Sequence, residues 1–231
     1  GVTGFTVGPA KKAVLANACG ALADQLLVAD DVAANQALGV ISGQPVLALW
    51  VGVLAFMLQI YLDFSAYSDM AIGMGRMIGF HYRENFNYPY ISVSITDFWR
   101  RWHISLSSFF RDYVYIPLGG NRCSAPRVVF NLFVVWFLTG FWHGASWNFM
   151  FWGLYFFVFL LLERAFLRGA LAHLPSVFGH IYALVVVYFG WVLFKFTDFS
   201  VLSTALSGMF GGTEVPFSNF EVMTLIQTNL P

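Results

Sequence analysis

Residues Pro45 to Tyr61 read PVLALWVGVLAFMLQIY, 17 residues without a charged side chain. About 17–25 apolar residues in a helix are enough to cross the hydrocarbon core of a bilayer. The whole chain agrees with this segment, since 58% of its residues are apolar and only 10% are charged. Ordinary soluble domains carry roughly 25% charged residues. A soluble fold with 26 Phe and 8 Trp would also expose large apolar patches. We therefore expect an all-α, polytopic transmembrane helical bundle.

Further apolar runs follow the first one along the chain. Three of them predict spans at roughly Val128–Trp142, Asn148–Leu162 and Val177–Phe196. The alanine-rich stretch Val14–Val28 is weaker and predicts either a short span or an interfacial helix. Residues 198–212 predict a short interfacial amphipathic helix.

The stretch that follows the first span, Asp63–Phe80, is unusually rich in glycine and polar residues. Glycines allow close backbone approach between packed helices, so we expect a buried or re-entrant helix that lines a polar cavity. Asp63 and Asp69 have two interpretations. They form a proton path or ion site, or they pair with Arg76 or cap the helix.

The most polar segment is Asp97–Arg122, DFWRRWHISLSSFFRDYVYIPLGGNR, with four arginines, two aspartates and a histidine. Ser94 or Thr96 is a candidate N-cap for a helix that runs from near Asp97 to about Tyr115. Seven of the twelve basic residues fall between residues 76 and 127. The positive-inside rule therefore predicts that this segment faces the cytoplasm.

On a continuous helix, this segment would bring several polar side chains to one face. Asp97 would lie beside Arg101, and Trp99 and Arg100 would lie beside His103, because residues three and four apart are neighbours. Such a group can hold an anion or orient a polar substrate. The alternative is a juxtamembrane helix whose arginines touch lipid phosphates while its tryptophans lie in the interfacial belt.

A second histidine, His143, ends the apolar run that begins near Val128. Removal from water disfavours the charged form of an imidazole. A neutral imidazole can act as a general base, typically with a contribution of about 10²–10⁴ in rate. The alternative is a structural histidine that is hydrogen-bonded inside a helix bundle.

Other classes of site lack support in the sequence. Phosphate-loop, HExxH and GxSxG motifs are absent. Cys19 and Cys123 lie far apart and support neither a disulfide framework nor a zinc site. A net charge of zero gives no sign of a nucleic-acid partner. We expect residues 1–231 to be a single membrane domain and an internal part of a longer protein.

Five long blocks of the sequence resemble those of a known family, and together they cover roughly residues 4–165. The blocks are FTVGPAKKAVLAN, YLDFSAYSDMAIGMGRMIGF, ENFNYPYIS, TDFWRRWHISLSSFFRDYVYIPLGGNR and WHGASWNFMFWGLY. In this order they resemble the membrane-bound O-acyltransferases. The similar branch is the bacterial one that contains alginate O-acetyltransferase and the D-alanyl transfer protein of teichoic acid synthesis.

The resemblance implies an enzyme that passes an acyl group from a cytoplasmic thioester donor to an extracytoplasmic hydroxyl. Donor and acceptor would meet at His143 from opposite sides of a polar tunnel. His143 would be the general base, with His103 and Asp97 positioning or assisting it. No bound cofactor is expected. Acetyl-CoA or an acyl carrier protein would be the donor.

The resemblance also suggests binding residues and partners. Arg100, Arg101 and Arg111 are candidates for donor phosphates, and Trp99 and Asn148 for further substrate contacts. The acceptor would be an extracellular polysaccharide or a periplasmic acyltransferase partner, and the protein would lie in the bacterial inner membrane. The arginine-rich block is closer to the alginate side of the branch, which favours an acetyl group. A transporter or flippase, and a scaffold for polysaccharide modification, are the alternatives.

Overall fold

The computed structural model describes residues 1–229, and all regular structure within that range is helical. The all-α class predicted from the sequence is confirmed. The α-helices are α1 Val2–Ala10, α2 Asn17–Leu26, α3 Ala34–Gly43, α4 Val46–Met77, α5 Ile95–Arg101, α6 Ile104–Phe110, α7 Ala125–His143, α8 Trp147–Leu162, α9 Arg168–Ala172, α10 Ser176–Lys195, α11 Phe199–Met209 and α12 Phe220–Asn229. Short π-helical segments occupy Lys11–Ala16, Arg111–Tyr115 and Glu163–Leu167, and a 3₁₀ turn occupies Pro89–Ile91.

Within residues 1–229, four helical stretches are long and apolar enough to cross a membrane. They coincide, to within a residue at the ends that fall short, with the four clear spans predicted from the sequence, so the polytopic architecture is confirmed. The weaker stretch Val14–Val28 falls in a π-helical segment and in α2, outside these four. The candidate spans are Val46–Met77, Ala125–His143, Trp147–Ala172 and Ser176–Lys195.

The chain divides into two compact units. The first contains residues 1–82 and 195–229, and its longest element is α4. For Asp63–Phe80 the re-entrant alternative is wrong, because α4 continues without interruption to Met77. The buried alternative agrees with the structure, since Ser68 and Gly73 are among the buried residues of this stretch. The glycines of this segment do not break the helix. A Cβ atom at Gly73 would lie only 2.5 Å from the backbone nitrogen of Phe5, so glycine is what lets α1 approach α4.

The two aspartates of α4 have lysine partners. Lys11 Nζ lies 2.6 Å from Asp69 Oδ2, and Lys12 forms an ion pair with Asp63. Both lysines belong to the π-helical segment between α1 and α2. Of the two interpretations of these aspartates, the structure agrees with ion pairing, with Lys11 and Lys12 as the partners where Arg76 was expected. These ion pairs fasten the first helical segments to α4.

The second unit contains residues 83–194 and all the residues predicted to form the site. Its long apolar helices are α7, α8 and α10. Helices α7 and α8 pack closely, because a Cβ atom at Gly140 would lie 3.2 Å from the Cα of Met150 and closer still to the backbone of Phe149. The prediction of a short helix at 198–212 is confirmed in the first unit by α11, whose N-cap is Asp198.

Candidate functional site

The arginine-rich segment is not one helix. Helix α5 ends at Arg101, and α6 begins at Ile104. His103 lies between them with φ 46° and ψ 54°, a left-handed conformation that L-residues with side chains rarely adopt. The prediction of a continuous helix from Asp97 to Tyr115 is therefore wrong. Trp99 and Arg100 therefore do not share a continuous helical face with His103.

A segment upstream in the sequence holds this break in place. The nitrogen of Ile104 donates to the carbonyl of Asn85 at 3.0 Å, and the nitrogen of Ser105 donates to Asn85 Oδ1 at 3.1 Å. On the other side of the break, the nitrogen of Asn87 donates to the carbonyl of Arg101 at 2.9 Å. The backbone groups freed by the break thus find partners in residues 85–87. These contacts fix the position of His103.

The beginning of α5 agrees with the sequence-based expectation. Ser94 is the N-cap, and its hydroxyl accepts a hydrogen bond from the nitrogen of Asp97 at 3.0 Å. Asp97 Oδ1 lies 3.0 Å from Arg101 Nε, which confirms the neighbouring pair at i and i+4. Arg101 Nη1 also donates to the carbonyl of Asn87 at 3.3 Å. These bonds tie α5 to the segment that precedes it.

A buried carboxylate that is distant in the sequence accepts hydrogen bonds from the first turn of α5. Glu163 is 2% exposed and accepts hydrogen bonds from the backbone nitrogens of Ile95 and Thr96 and from the Thr96 hydroxyl. The nitrogen of Thr96 lies 2.9 Å from Glu163 Oε2. The first turn of a helix leaves its N–H groups without internal partners, so this carboxylate satisfies donors that would otherwise be unpaired. No motif or spacing in the sequence singles out Glu163.

His143 is the last residue of α7, and its ring has a defined hydrogen-bond partner. Its Nδ1 lies 2.7 Å from the carbonyl oxygen of Thr139. A carbonyl oxygen only accepts hydrogen bonds, so Nδ1 carries the hydrogen. In the neutral ring, the lone pair is then on Nε2. The arrangement presets His143 to accept a proton at Nε2.

His103 and His143 are neighbours through Trp142. The ring centroid of Trp142 lies 5.7 Å from that of His103 and 4.9 Å from that of His143. Burial, and secondly the nearby His143, lowers the pKa of His103 from 6.5 to about 4. His103 is therefore neutral at pH 7. The two histidines singled out from the sequence are brought into one site.

Two further aromatic rings contact the half-buried His143. Trp152 lies 4.7 Å from His143 and Phe194 lies 5.7 Å from it, measured between ring centroids. Trp152 in turn contacts Trp99 at 5.6 Å and Trp191 at 6.3 Å. Sequence reasoning missed Trp152 and Trp191. A usable signal for Trp152 was its position four residues after Asn148 on a helix, which places both on one face.

Four buried polar atoms in this aromatic cluster lack hydrogen-bond partners among the described residues. They are the Nε1 atoms of three tryptophans and the side-chain oxygen of one asparagine, while the nitrogen of the same asparagine approaches the carbonyl of Leu193 at 3.5 Å. An unsatisfied buried donor or acceptor costs about 1–3 kcal/mol. Such atoms are few in native structures, and a catalytic role or a bound water or ion is among the reasons for them. The residues are Trp99, Trp152, Trp191 and Asn148.

Two of the arginines predicted to bind the donor, Arg100 and Arg111, lie at the protein surface and outside the aromatic cluster. Arg100 is exposed. Arg111 is also exposed, and its Nε lies 2.8 Å from Asp112 Oδ1.

A narrow apolar crevice lies between the 89–92 turn and α10, and neither histidine lines it. The polar tunnel stays a prediction. Within residues 1–229, no group of three or more His, Cys, Asp or Glu side chains is arranged to hold a metal ion.

Comparison with known proteins identifies relatives that match most of the chain. The sequence profile of MBOAT, the membrane-bound O-acyltransferase family, matches residues 31–205. The chain is 42% identical to the "Probable alginate O-acetylase AlgI" of Azotobacter vinelandii over 91% of its own length and 40% of that protein. It is 40% identical to the "Peptidoglycan O-acetyltransferase" of Helicobacter pylori over 70% of its length and 31% of that protein.

A more distant relative is the "Teichoic acid D-alanyltransferase" of Bacillus subtilis. The chain is 33% identical to it over 63% of its own length and 39% of that protein. The chain spans about 40% of the length of the curated relatives that it matches over most of its sequence.

Proposed function

Because the chain belongs to the membrane-bound O-acyltransferase family, we propose that it carries the His143 centre of a membrane enzyme that transfers an acetyl group to a hydroxyl. The donor is an acyl thioester, either acetyl-CoA or an acyl carrier protein. The acceptor is a hydroxyl of a cell-envelope polysaccharide or of a partner acyltransferase in the periplasm. The protein acts in the bacterial inner membrane.

The observation that carries this proposal is the hydrogen bond between His143 Nδ1 and the Thr139 carbonyl. It leaves Nε2 free to take the proton of the acceptor hydroxyl as that oxygen attacks the thioester carbonyl. The aromatic rings beside His143 cover part of the imidazole, which limits the access of water that would compete as an acceptor and hydrolyse the thioester.

His103 assists without taking the proton in this proposal. Its low pKa keeps it neutral, so it places no positive charge beside His143 as the imidazolium forms. Asp97 acts through its position, since its bonds to Arg101 and to the Ser94 cap hold α5 and the break that carries His103. Asp97 is thus a positioning residue.

Donor binding is assigned to the arginine-rich segment. Arg100 is exposed and has a guanidinium that suits phosphate oxygens. Arg101 and Arg111 already pair with carboxylates, so they contribute to the positive potential with part of their charge neutralised. By the positive-inside rule this segment faces the cytoplasm, where thioester donors are available.

The choice of an acetyl group over a D-alanyl group rests on the relatives. The relatives named for O-acetyl transfer match 42% and 40% of the aligned residues over 91% and 70% of the chain. The relative named for D-alanyl transfer matches 33% over 63%. An alginate-like or other exopolysaccharide is accordingly the proposed final acceptor.

The test is O-acetylation of cell-surface polysaccharide in cells that express the full-length protein at matched membrane levels. His143→Ala and His143→Gln are compared with wild type, and the exposed His173→Ala is the control. The proposal expects loss of acetylation in both His143 variants and retention in the control. If acetylation persists in both His143 variants, His143 is structural and a transporter or scaffold role replaces the enzyme.

A further inference from the structure

One of the unpartnered polar atoms of the aromatic cluster belongs to a residue in contact with His143. Trp152 is 1% exposed, and its Nε1 has no hydrogen-bond partner among the described residues. Its ring lies against the imidazole of His143, with 4.7 Å between centroids. Trp152 thus combines an unused donor with direct contact to the proposed base.

A second unpartnered atom lies on the same face of α8. Asn148 is 1% exposed, and its Oδ1 has no partner among residues 1–229. Asn148 and Trp152 are four residues apart, so both side chains project from adjacent turns. One supplies an unused acceptor and the other an unused donor. A ligand that satisfies both must carry an acceptor and a donor of its own.

An acyl thioester with an amide-bearing arm has both groups. Its carbonyl oxygen accepts a hydrogen bond, and the N–H groups of its arm donate. The carbonyl oxygen also gains negative charge when a hydroxyl attacks the carbonyl carbon. A preorganised donor in a site without water stabilises that charge more than it stabilises the ground state.

We propose that the indole N–H of Trp152 is the oxyanion donor of this site, and that Asn148 Oδ1 accepts a hydrogen bond from an amide of the thioester arm. This inference rests on the proposed function. Trp99 and Trp191, which contact Trp152 and also have unpartnered Nε1 atoms, surround the donor and exclude water.

The reaction balances with these groups alone. The acceptor oxygen forms a bond to the carbonyl carbon, the C=O electron pair moves to oxygen, and the hydroxyl proton moves to His143 Nε2. The Trp152 N–H donates to the resulting oxyanion and keeps its proton. The oxyanion then collapses, the C–S bond breaks, and the imidazolium returns the proton to the thiolate.

A different account of Trp152 is purely structural. Its edge contacts with Trp99, Phe156 and Phe194 could satisfy the N–H on aromatic faces. In that case replacement of Trp152 would cost packing and nothing specific to the reaction. The two accounts differ in the effect on kcat of removing the N–H alone.

The test uses the purified full-length protein and compares two variants in the same cluster. Trp152→Phe removes the donor, whereas Trp136→Phe removes a buried indole that contacts Trp99 and Phe156 and, among the described residues, not His143. We expect kcat to fall about 10²–10³-fold in Trp152→Phe, with KM for the thioester little changed. Trp136→Phe should retain kcat.

A third variant separates the N–H from the shape of the ring. Benzothienylalanine, incorporated at position 152, keeps the bicyclic ring and lacks the N–H. We expect it to reproduce the kcat loss of Trp152→Phe while folding as wild type. Near wild-type kcat in this variant would overturn the inference, as would equal losses in Trp152→Phe and Trp136→Phe.

Failure of this inference is distinguishable from failure of the proposed function. If His143→Gln abolishes transfer while the position-152 variants retain it, only the oxyanion role is overturned. If neither wild type nor His143→Gln transfers an acyl group above background, the proposed function is wrong, and the role of Trp152 is wrong with it.

Discussion

His143 Nδ1 donates to the carbonyl oxygen of Thr139 one turn earlier on α7, at 2.7 Å. This bond fixes both the tautomer and the orientation of the ring, because the accepting group is part of the helix backbone. In the neutral ring the lone pair is thereby left on Nε2. The side chain of Thr139 has no part in this bond, since its hydroxyl donates to the carbonyl of Val135 at 2.8 Å.

Thr139→Ala is therefore expected to leave acyl transfer nearly unchanged. The substitution removes the hydroxyl and its bond to Val135, while the backbone carbonyl that orients His143 remains. The measurement is the rate of acyl transfer by full-length protein in membranes, relative to wild type. A loss as large as that of His143→Gln would mean that the ring is not held by the Thr139 carbonyl.

His103 is expected to remain neutral down to about pH 5. Its folded pKa of about 4 lies below the ordinary 6.5, because of burial and of His143. Between pH 6.5 and 4 the unfolded chain therefore binds a proton at His103 that the folded protein does not bind. His103 accordingly lowers the free energy of unfolding as the pH falls from about 6.5 toward 4, and it has no such effect above pH 6.5. The ¹⁵N shifts of labelled histidine, with the His103 signal assigned by its loss in His103→Asn, measure this value directly.

The same titration in His143→Gln provides the control. Removal of the second imidazole should raise the pKa of His103, and only in part, since burial is the larger cause. An unperturbed titration near pH 6.5 in the wild-type protein would contradict the buried position of His103.

Glu163→Ala is expected to destabilise the protein and to lower activity together. It leaves the N–H groups of Ile95 and Thr96 and the Thr96 hydroxyl without their acceptor. Each such buried donor costs about 1–3 kcal/mol. The midpoint of thermal unfolding in detergent reports this loss. Thr96→Val, which removes only one of the three donors, should have a clearly smaller effect, and equal effects would contradict the role of the carboxylate.

Asn85→Ala is expected to reduce activity by releasing the turn that carries His103. Asn85 Oδ1 accepts from the nitrogen and the hydroxyl of Ser105 at the start of α6, at 3.1 and 3.0 Å. Loss of an N-terminal cap costs about 0.5–2 kcal/mol. Asn85→Asp retains the acceptor and should restore most of the acyl-transfer rate. If the aspartate variant is as impaired as the alanine variant, the cap does not position His103.

The spans could be predicted because a helix that crosses a bilayer must be long and apolar, and both properties are visible in one continuous run of residues. The segments around Val46–Met77 and Ser176–Lys195 need no tertiary information to be identified. The continuity of α4 through Gly73 could not be predicted in the same way. Glycine disfavours a helix locally, and its cost is offset here by the approach of α1 near Phe5.

The candidate site was predictable in its histidines and not in its geometry. His103 and His143 stand out as imidazoles in an apolar chain. The break at His103 depends on hydrogen bonds to Asn85 and Asn87, which the sequence of residues 97–115 does not contain. The unused donor on Trp152 is likewise a property of its surroundings, because a tryptophan in an apolar run gives no sign of whether its N–H has a partner.

The most direct test of the account is the rate at which purified full-length protein in lipid vesicles transfers a labelled acetyl group from a thioester to a hydroxyl acceptor. His143→Gln keeps a polar side chain of similar size and removes the base. The account predicts a loss of at least about 10²-fold relative to wild type and to His173→Ala. Equal rates in wild type and His143→Gln would contradict it.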